Sequence, residues 1–309
     1  MILTVCPNPS IDRTIEVDSL NVGSLNRIDS KVETYSGKAL NVAIGVARLG
    51  EACTTTGFMF ENHRHMFEHT LSKEGVEHKF ILNPGSARVN YKIIDKRSML
   101  TEINDKGEEI SREKQLELLE NIKKLSEGME TVVISGSLPK GVEPTFYGEM
   151  VSCVWQGAKI IIDAERENML EALKVRKIFM AKPNVHELED FSGIAVRSKK
   201  DMVRASKKYL EMGAENVLIS MGADGAVLTD GIESWYCKSA SVAVNSTVGA
   251  GDSMVAAICV ALSVGVPNSE LLRRAVAAGT AAVTTSGTNL FYKDKYQEIY
   301  ARIKSEPII

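Results

Sequence analysis

The sequence has few of the features that mark a specialised class of protein. Its 309 residues include only five cysteines, which are scattered and never form a C-x-x-C pair. This odd, dispersed set argues against a disulfide framework and predicts reduced thiols in a cytoplasmic protein. The 37 basic and 40 acidic residues nearly balance, without runs of one sign. We therefore expect neither nucleic acid nor a membrane surface as a partner.

Long apolar segments are also missing. The longest apolar run, residues 254–266, contains a serine and a glycine and is too short to cross a bilayer, so it predicts a buried helix. The chain opens on a strand-like apolar segment without the basic and apolar regions of a secretory signal, and no such signal is expected. With 44% hydrophobic residues, a chain of this length can bury a large core. Its expected partners are small molecules and copies of itself.

Short β-branched runs alternate with amphipathic segments through the middle of the chain. Apolar runs without polar alternation are typical of parallel strands covered on both faces, and amphipathic segments at 112–125 and 199–212 predict covering helices. The sequence therefore predicts one α/β domain over residues 1–309, with a doubly wound, mostly parallel sheet flanked by helices. The predicted strands are residues 131–134, 159–162, 177–180 and 216–219.

A second, smaller sheet is indicated by strands of a different pattern. Residues 11–19 and 27–35 alternate apolar and polar side chains, as do Val89, Tyr91 and Ile93, which is typical of half-exposed strands. We expect these strands to form a small antiparallel lid, discontinuous in sequence, beside the main sheet. Because exposed strand edges need cover, we also expect a homodimer through the lid. The expected lid segments are about 11–35 and 87–105.

The most informative segment is Ser246-Thr247-Val248-Gly249-Ala250-Gly251-Asp252-Ser253, before an apolar helix predicted at 253–264. Small residues at a helix start leave the first N–H groups free to bind an anion. Asp252 has two open interpretations: it caps the helix, or it accepts a proton from a bound alcohol. This segment lacks the third glycine of a dinucleotide-binding fingerprint, and no G-x-x-x-x-G-K-[ST] sequence occurs in the chain, so neither a dinucleotide site nor a P-loop is predicted. Phosphoryl transfer to an alcohol is the interpretation that remains.

Two further strings lie where the chain turns from a strand into a helix. Ser36-Gly37-Lys38-Ala39-Leu40-Asn41 precedes a helix predicted at 42–49, and it is either a tight turn or a ligand site with a cation and an amide. Lys182-Pro183-Asn184-Val185-His186-Glu187 has the spacing of a helix capping box. It also follows a predicted parallel strand, at the edge where such sheets bind ligands.

Taken in order, these strings resemble the PfkB (ribokinase-like) family of sugar kinases, and within it the branch of fructose-1-phosphate and tagatose-6-phosphate kinases. The resemblance covers nearly the whole chain and implies the ribokinase-like fold. It is carried by Asn8-Pro9-Ser10-Ile11-Asp12, Ser135-Gly136-Ser137-Leu138-Pro139, Lys182-Pro183-Asn184 and the segment 246–253, and it ends near Ser286-Gly287-Thr288.

The resemblance implies a role for each candidate residue. The implied catalytic group is Asp252 as the base, with Gly249, Ala250 and Gly251 as the anion hole for the γ-phosphoryl group. The implied nucleotide residues are Ser220, Gly222 and Gly225, with Asn184 and Glu187 organising Mg²⁺ and the phosphates through water. The implied sugar residues are Asp12, Gly37, Lys38, Asn41, Arg88 and Asn90, with Arg27 as a further phosphate ligand.

The resemblance also implies the reaction. An ATP-dependent kinase of this branch transfers the γ-phosphoryl group to a free primary hydroxyl of a ketohexose phosphate, and Thr101-Glu102-Ile103-Asn104 on the lid favours fructose 1-phosphate. Tagatose 6-phosphate and fructose 6-phosphate are the alternative substrates. Ser36 and Ala39 stand where the branch usually has glycines, and added side-chain atoms there could change sugar binding. A non-catalytic sugar-phosphate-binding protein is therefore the alternative from a different class.

Overall fold

The computed structural model describes residues 1–97, 99–285 and 290–309. The last string of the resemblance, Ser286-Gly287-Thr288, lies outside the described residues. The strands are β1 (Ile2–Cys6), β2 (Ser10–Val17), β3 (Ser30–Ser36), β4 (Cys53–Phe60), β5 (Glu77–Asn83), β6 (Arg88–Asp95), β7 (Leu100–Asn104), β8 (Thr131–Ser135), β9 (Lys159–Asp163), β10 (Ile178–Ala181), β11 (Ala214–Ser220), β12 (Ala226–Thr229), β13 (Ser234–Cys237) and β14 (Ser305–Pro307). The helices are α1 (Lys38–Arg48), α2 (Arg64–Lys73), α3 (Arg112–Ser126), α4 (Thr145–Cys153), α5 (Arg166–Val175), α6 (Val185–Ser192), α7 (Lys199–Glu211), α8 (Ala250–Ser263), α9 (Asn268–Ala282) and α10 (Lys293–Arg302).

The main sheet has the strand order β14-β13-β12-β11-β10-β9-β8-β1-β4-β5. Its strands from β11 to β5 are parallel to their neighbours, and β12, β13 and β14 are added antiparallel at one edge. Central strands such as β1 and β8 are buried along their whole length, because helices cover both faces of a parallel sheet. The prediction of a helix-flanked, mostly parallel α/β sheet is confirmed.

Apart from α2, which contacts β3 and β5, the helices of the described residues form two contacting groups around this sheet. Helices α3 to α7 contact one another in succession, and α1, α8, α9 and α10 form the second group. Helix α8 is apolar almost all round and packs between α1 and α9. In the described part of the chain, no helix is long and apolar enough to cross a membrane.

Two helices that carry candidate site residues begin earlier than the sequence predicts. Helix α1 begins at Lys38 and not at residue 42, because the Asn41 N–H already donates to the Gly37 carbonyl at 2.8 Å. Helix α8 begins at Ala250, three residues before the predicted start, since the Ser253 N–H donates to the Gly249 carbonyl at 2.9 Å. The polar residues of both strings therefore lie in the first turn of a helix and not in the loop before it.

The small sheet has the order β3-β2-β6-β7. Its outer pairs are antiparallel, as expected for the lid, but the central pair of β2 and β6 is parallel. The reason is the connection to the main sheet. Strand β2 follows β1 and strand β6 follows β5, so both enter the lid from the same end of two parallel strands.

The five cysteines are free thiols spread over the main sheet and its helices. Burial raises the pKa of Cys6 to about 11 and that of Cys53 to about 12. Cys237 and Cys259 are also buried, whereas Cys153 near the end of α4 is partly exposed. The buried thiols behave as small apolar side chains within the core.

Candidate functional site

The first turn of α8 is shaped by glycine. Gly249 has a φ of +78°, and a Cβ there would lie 2.8 Å from Leu290 Cδ2, so a larger residue would be strained and crowded. The next residues, Ala250 and Gly251, are partly exposed. Their N–H groups precede the first intrahelical hydrogen bond, and this turn can therefore bind an anion.

Asp252 lies in the same turn with its side chain buried and only 6% exposed. It makes no capping hydrogen bond to α8, and its Oδ2 instead accepts from Asn41 Nδ2 at 2.8 Å. Burial raises the pKa of Asp252 to about 6, aided by the negative charge of Asp163 and opposed by Lys38 and Asn41. The interpretation of Asp252 as a helix cap is therefore not supported. A carboxyl with this pKa suits proton exchange near neutrality.

An ion cluster that the sequence analysis missed adjoins Asp252. Asp163, at the end of β9, pairs through Oδ1 with Lys38 Nζ at 3.3 Å and through Oδ2 with Lys182 Nζ at 3.4 Å. Burial alone would raise the pKa of Asp163, but the charges of Lys182 and Lys38 outweigh it and leave that pKa lowered. The pKa of Lys38 is raised, chiefly by Asp163 and then by Asp252. Asp163 is thus ionised and Lys38 is cationic.

This cluster extends to the anion-binding turn. A Cβ placed on Gly251 would lie 3.2 Å from Lys182 Nζ, so the ammonium group lies directly beside the turn. Lys182 was part of a string that the sequence singled out, although no role was assigned to it. The available signal for Asp163 was its position. It is a carboxylate at the end of a buried parallel strand, and such sheets bind ligands at that edge.

The start of α1 faces the same region. A Cβ on Gly37 would lie 2.7 Å from Cys6 Sγ, so glycine is required by close packing against β1. Asn41 is buried, and its Oδ1 accepts from Ser36 Oγ at 3.3 Å. The structure thus brings Lys38 to Asp163 and Asn41 to Asp252, while the role of residues 36–41 as a ligand site stays a prediction.

Asp12 occupies a separate polar cluster on the lid. It accepts from Asn90 Nδ2 at 3.0 Å, from Lys92 Nζ at 3.2 Å and from Ser10 Oγ at 3.2 Å. Lys92 is a second residue that the sequence analysis missed. It shares one face of β6 with Arg88 and Asn90, since every second residue of a strand points the same way, and that alternation was the available signal.

Arg88, at the start of β6, connects the segment before β2 with the segment after β7. Its Nη1 donates to the Asp105 carbonyl and its Nη2 to the Asn8 carbonyl, both at 3.3 Å. Three buried atoms near it, Arg88 Nε, Asn8 Oδ1 and Asn90 Oδ1, have no hydrogen-bond partner among the described residues. Because buried polar atoms are normally paired, this cluster can accept a polar ligand. Burial lowers the pKa of Arg88.

Asn184 and Glu187 form the capping box that their spacing predicts. The Glu187 N–H donates to Asn184 Oδ1 at 2.9 Å, and the Asn184 N–H donates to Glu187 Oε2 at 2.8 Å. An isolated β-bridge places Asn184 beside Ser220, and a tight turn containing Gly222 follows. A Cβ on Gly225 would lie 2.0 Å from the Cys237 carbonyl oxygen, which requires glycine.

Arg27 is not brought into any of these groups. It lies in the exposed segment 18–29 between β2 and β3, because β3 begins at Ser30 and not at residue 27 as predicted. No hydrogen bond or ion pair joins its side chain to the described site residues. The described residues also contain no cluster of three or more histidine, cysteine or acidic side chains that could bind a metal.

Comparisons with known proteins identify the family and the fold of the chain. The family model for pfkB family carbohydrate kinases matches residues 7–295. The 1-phosphofructokinase of Bacillus subtilis is 33% identical over 302 residues, covering 97% of this chain and 98% of that protein. The structure of Escherichia coli phosphofructokinase-2 in complex with substrates and products has a TM-score of 0.89 at 28% identity, with 97% and 98% of the two chains covered. A tetrameric inhibited form of the same E. coli enzyme has a TM-score of 0.88 at 27% identity over the same shares. From the extent of the family match and from the fold, we conclude that the chain belongs to the PfkB family of carbohydrate kinases.

Proposed function

We propose that the protein phosphorylates the free primary hydroxyl of a ketohexose phosphate, with fructose 1-phosphate as substrate and fructose 1,6-bisphosphate as product. Kinases of this family use ATP, and the B. subtilis relative is a 1-phosphofructokinase. The observation that carries the proposal is the buried Asp252 carboxyl, with a pKa of about 6, in the glycine-shaped first turn of α8.

In this mechanism Asp252 accepts the proton of the attacking hydroxyl, and its pKa suits a base that works near neutral pH. The N–H groups of Gly249, Ala250 and Gly251 donate to the oxygens of the transferring phosphoryl group, where negative charge concentrates. Lys182 lies beside this turn and adds a positive charge to it. Helix geometry fixes these donors before the substrate arrives, so no reorganisation is needed during transfer.

The sugar phosphate lies between the lid and the first turn of α1. Asp12, Gly37, Lys38 and Asn41 contact the sugar, and the guanidinium of Arg88 binds its existing phosphate with Asn90 alongside. The support for this placement is the set of buried atoms without partners near Arg88. An arginine suits a phosphate because its planar fork can donate two hydrogen bonds at once. Arg27, exposed and remote from these contacts, is the weakest member of the proposed set.

The nucleotide lies along Ser220, Gly222 and Gly225, next to Asn184 and Glu187. The oxygen donors of Asn184 and Glu187 suit Mg²⁺ bound through water, since Mg²⁺ prefers oxygen ligands and keeps much of its hydration shell. When bound, Mg²⁺ neutralises charge on the phosphates. Both side chains are oriented by the capping box, and the chain needs no larger ligand cluster for a metal that is bound mainly by water and phosphate.

The test is an ADP-release assay over fructose 1-phosphate, tagatose 6-phosphate, fructose 6-phosphate and unphosphorylated fructose. We expect the highest kcat/KM with fructose 1-phosphate. Fructose 6-phosphate is the second candidate, because a structure of E. coli phosphofructokinase-2 in complex with fructose-6-phosphate shares the fold over 97% of this chain. Preference for free fructose would contradict the sugar-phosphate site, and binding without turnover of any member would indicate a non-catalytic binding protein.

We also propose that the enzyme is cytoplasmic and dimeric through the lid. Its five free thiols and its use of ATP suit a reducing cytoplasm. Strand β7 is exposed along its whole length and carries Leu100 and Ile103 on the lid surface, and an exposed apolar strand edge favours a partner. The E. coli relative has a tetrameric inhibited form, so the assembly of this chain needs its own measurement.

A further inference from the structure

Three buried side chains form a chain of hydrogen bonds that ends on Asp252. Ser36 Oγ donates to Asn41 Oδ1 at 3.3 Å, and Asn41 Nδ2 donates to Asp252 Oδ2 at 2.8 Å. Ser36, Asn41 and Asp252 are 4%, 6% and 6% exposed. The chain crosses from the last residue of β3 through the first turn of α1 to the first turn of α8, so it connects the lid with the base.

The chemistry of the groups allows only one direction for this chain. An ionised carboxylate can only accept hydrogen bonds, so the amide NH₂ of Asn41 must face Asp252. The Asn41 Oδ1 then faces Ser36 and needs a donor, which the hydroxyl supplies. If the amide turned over, its oxygen would lie against the carboxylate, which is unfavourable, so Asp252 sets the orientation of the amide. Ser36 can donate or accept, and its hydrogen bond to Oδ1 restrains the amide plane in the position from which Nδ2 donates to Asp252.

We propose that Ser36 is a positioning residue for the base: its hydroxyl holds the Asn41 amide with the NH₂ group toward Asp252. The inference rests on the proposed function, in which Asp252 accepts the proton. It also gives a role to a residue where the branch usually has glycine, which carries no side chain for such a bond. Ser36 thus adds a constraint on the base rather than only occupying space near the sugar.

The other charges around Asp252 do not depend on Ser36. Asp163 faces it from the end of β9, Lys38 from α1, and Lys182 from the segment after β10, and the last two are paired with Asp163. Removal of the Ser36 hydroxyl leaves these groups in place. A change in the titration of Asp252 in a Ser36 variant would therefore report the Asn41 hydrogen bond.

The first test compares Ser36→Ala and Ser36→Gly with the wild type, measuring kcat, both KM values and the pH profile of kcat/KM. Without the hydroxyl, Asn41 donates to Asp252 for only part of the time, and the ionised base is less stable. We expect the acidic limb to move up by about half a pH unit and kcat at pH 6 to fall roughly twofold. The KM for ATP stays unchanged, since the nucleotide residues are untouched.

The control is Ser206→Ala, which removes an equally buried hydroxyl that donates to the Met202 carbonyl within α7. It tests the same loss of a buried hydroxyl away from the site, and its pH profile should match the wild type. The two Ser36 variants also differ from each other in bulk. If only one of them shifts the limb, or if both change only the KM for the sugar phosphate, the cause is space near the sugar and the proposal is wrong.

A second measurement does not require activity. In protein labelled with ¹³C at aspartate carboxyl carbons, the resonance that disappears in Asp252→Asn reports the pKa of Asp252 directly. We expect Ser36→Ala to raise that pKa by about half a unit, and an unchanged value would overturn the proposal. If the wild type phosphorylates no sugar phosphate, the proposed function fails, while this titration still decides whether Ser36 acts on Asp252.

Discussion

At the residue scale, the buried Asp252 is costly to the fold. An exposed aspartate has a pKa of 3.8, whereas the pKa of Asp252 is about 6, so between these values the folded state binds more protons than the unfolded state. Stability therefore falls as the pH rises through this window, and the full cost of the charged form is present above about pH 6. A difference of about two pKa units corresponds to about 3 kcal/mol.

This cost yields a prediction for Asp252→Asn. The variant should lose activity by roughly 10²- to 10⁴-fold in kcat, since a carboxamide cannot accept the proton. It should also unfold at a higher temperature than the wild type at pH 8, because it carries no buried charge, and the difference should shrink toward pH 5. Thermal unfolding measured at both pH values checks the second effect. Equal unfolding temperatures at pH 8 would mean that the ionised carboxylate is well compensated.

Arg88 offers a prediction about the sugar phosphate. Arg88→Ala should raise the KM for the sugar phosphate roughly 10- to 100-fold, the range for a lost charged hydrogen bond, with little effect on the KM for ATP. Arg13→Ala is the matched control, because Arg13 also lies on the lid but pairs with Glu33 and stacks over Tyr91. Steady-state kinetics on both variants decide the role. An equal rise in both variants would point to the stability of the lid.

The sequence predicts candidate site residues that lie in distinctive local motifs. It does not predict which distant residues these side chains contact in the fold. Asp252, Lys38 and Asn41 could be predicted because small residues and glycines surround them at helix starts. Asp163 and Lys92 were missed, because each lies in an ordinary strand. Each becomes a candidate site residue only through an ion pair with a residue that is distant in the sequence. Pairs such as Lys38 with Asp163, 125 residues apart, are a property of the folded chain.

At the scale of the element, the capping box of α6 has a structural role in the helix and a proposed role in nucleotide binding. The box satisfies the first N–H groups of the helix, and in the proposed mechanism the same side chains face the nucleotide. Structure and binding therefore depend on one pair of residues, and a single substitution affects both. The two contributions can be separated with a second helix that has only the structural one.

Helix α3 provides that comparison. Ser111 caps it by accepting from the Lys114 N–H at 3.3 Å. Asn184→Ala and Ser111→Ala should each lower the free energy of unfolding by about 1 kcal/mol, the usual value of an N-cap. Only Asn184→Ala should also raise the KM for ATP and increase the Mg²⁺ concentration needed for half-maximal rate. Urea unfolding and kinetics on both variants test this, and similar kinetics would leave Asn184 a purely structural cap.

The positions of the helices and strands were largely predictable from the sequence. The relative directions of the lid strands were not. Continuous apolar runs such as β8 and β9 indicate strands buried on both faces, and these predictions are confirmed. Alternating patterns also identified β2 and β6, but the pattern is the same in parallel and antiparallel pairs. The parallel pairing of β2 with β6 follows from where each strand leaves the main sheet, which is information about the whole topology.

At the scale of the whole molecule, the lid is the surface through which we propose that the protein dimerises. Ile103 is 56% exposed on β7, and in the proposed dimer it is covered by the partner. Ile103→Lys should therefore shift the protein toward monomer at micromolar concentration, as measured by light scattering after size-exclusion chromatography. Ile232→Lys is the control, because Ile232 is 93% exposed at a hairpin outside the lid. A monomeric wild type would refute the lid dimer.

The distribution of thiols has a practical consequence for the study of unfolding. Alkylating reagents attack thiolates, and burial raises the pKa of each buried cysteine. Among the five, Cys153 should be the first to react in the native state. The others lie in β1 and β4 toward one edge of the main sheet, in β13 toward the opposite edge, and in helix α8. Mass spectrometry of alkylation in rising urea would therefore reveal in which order these regions open.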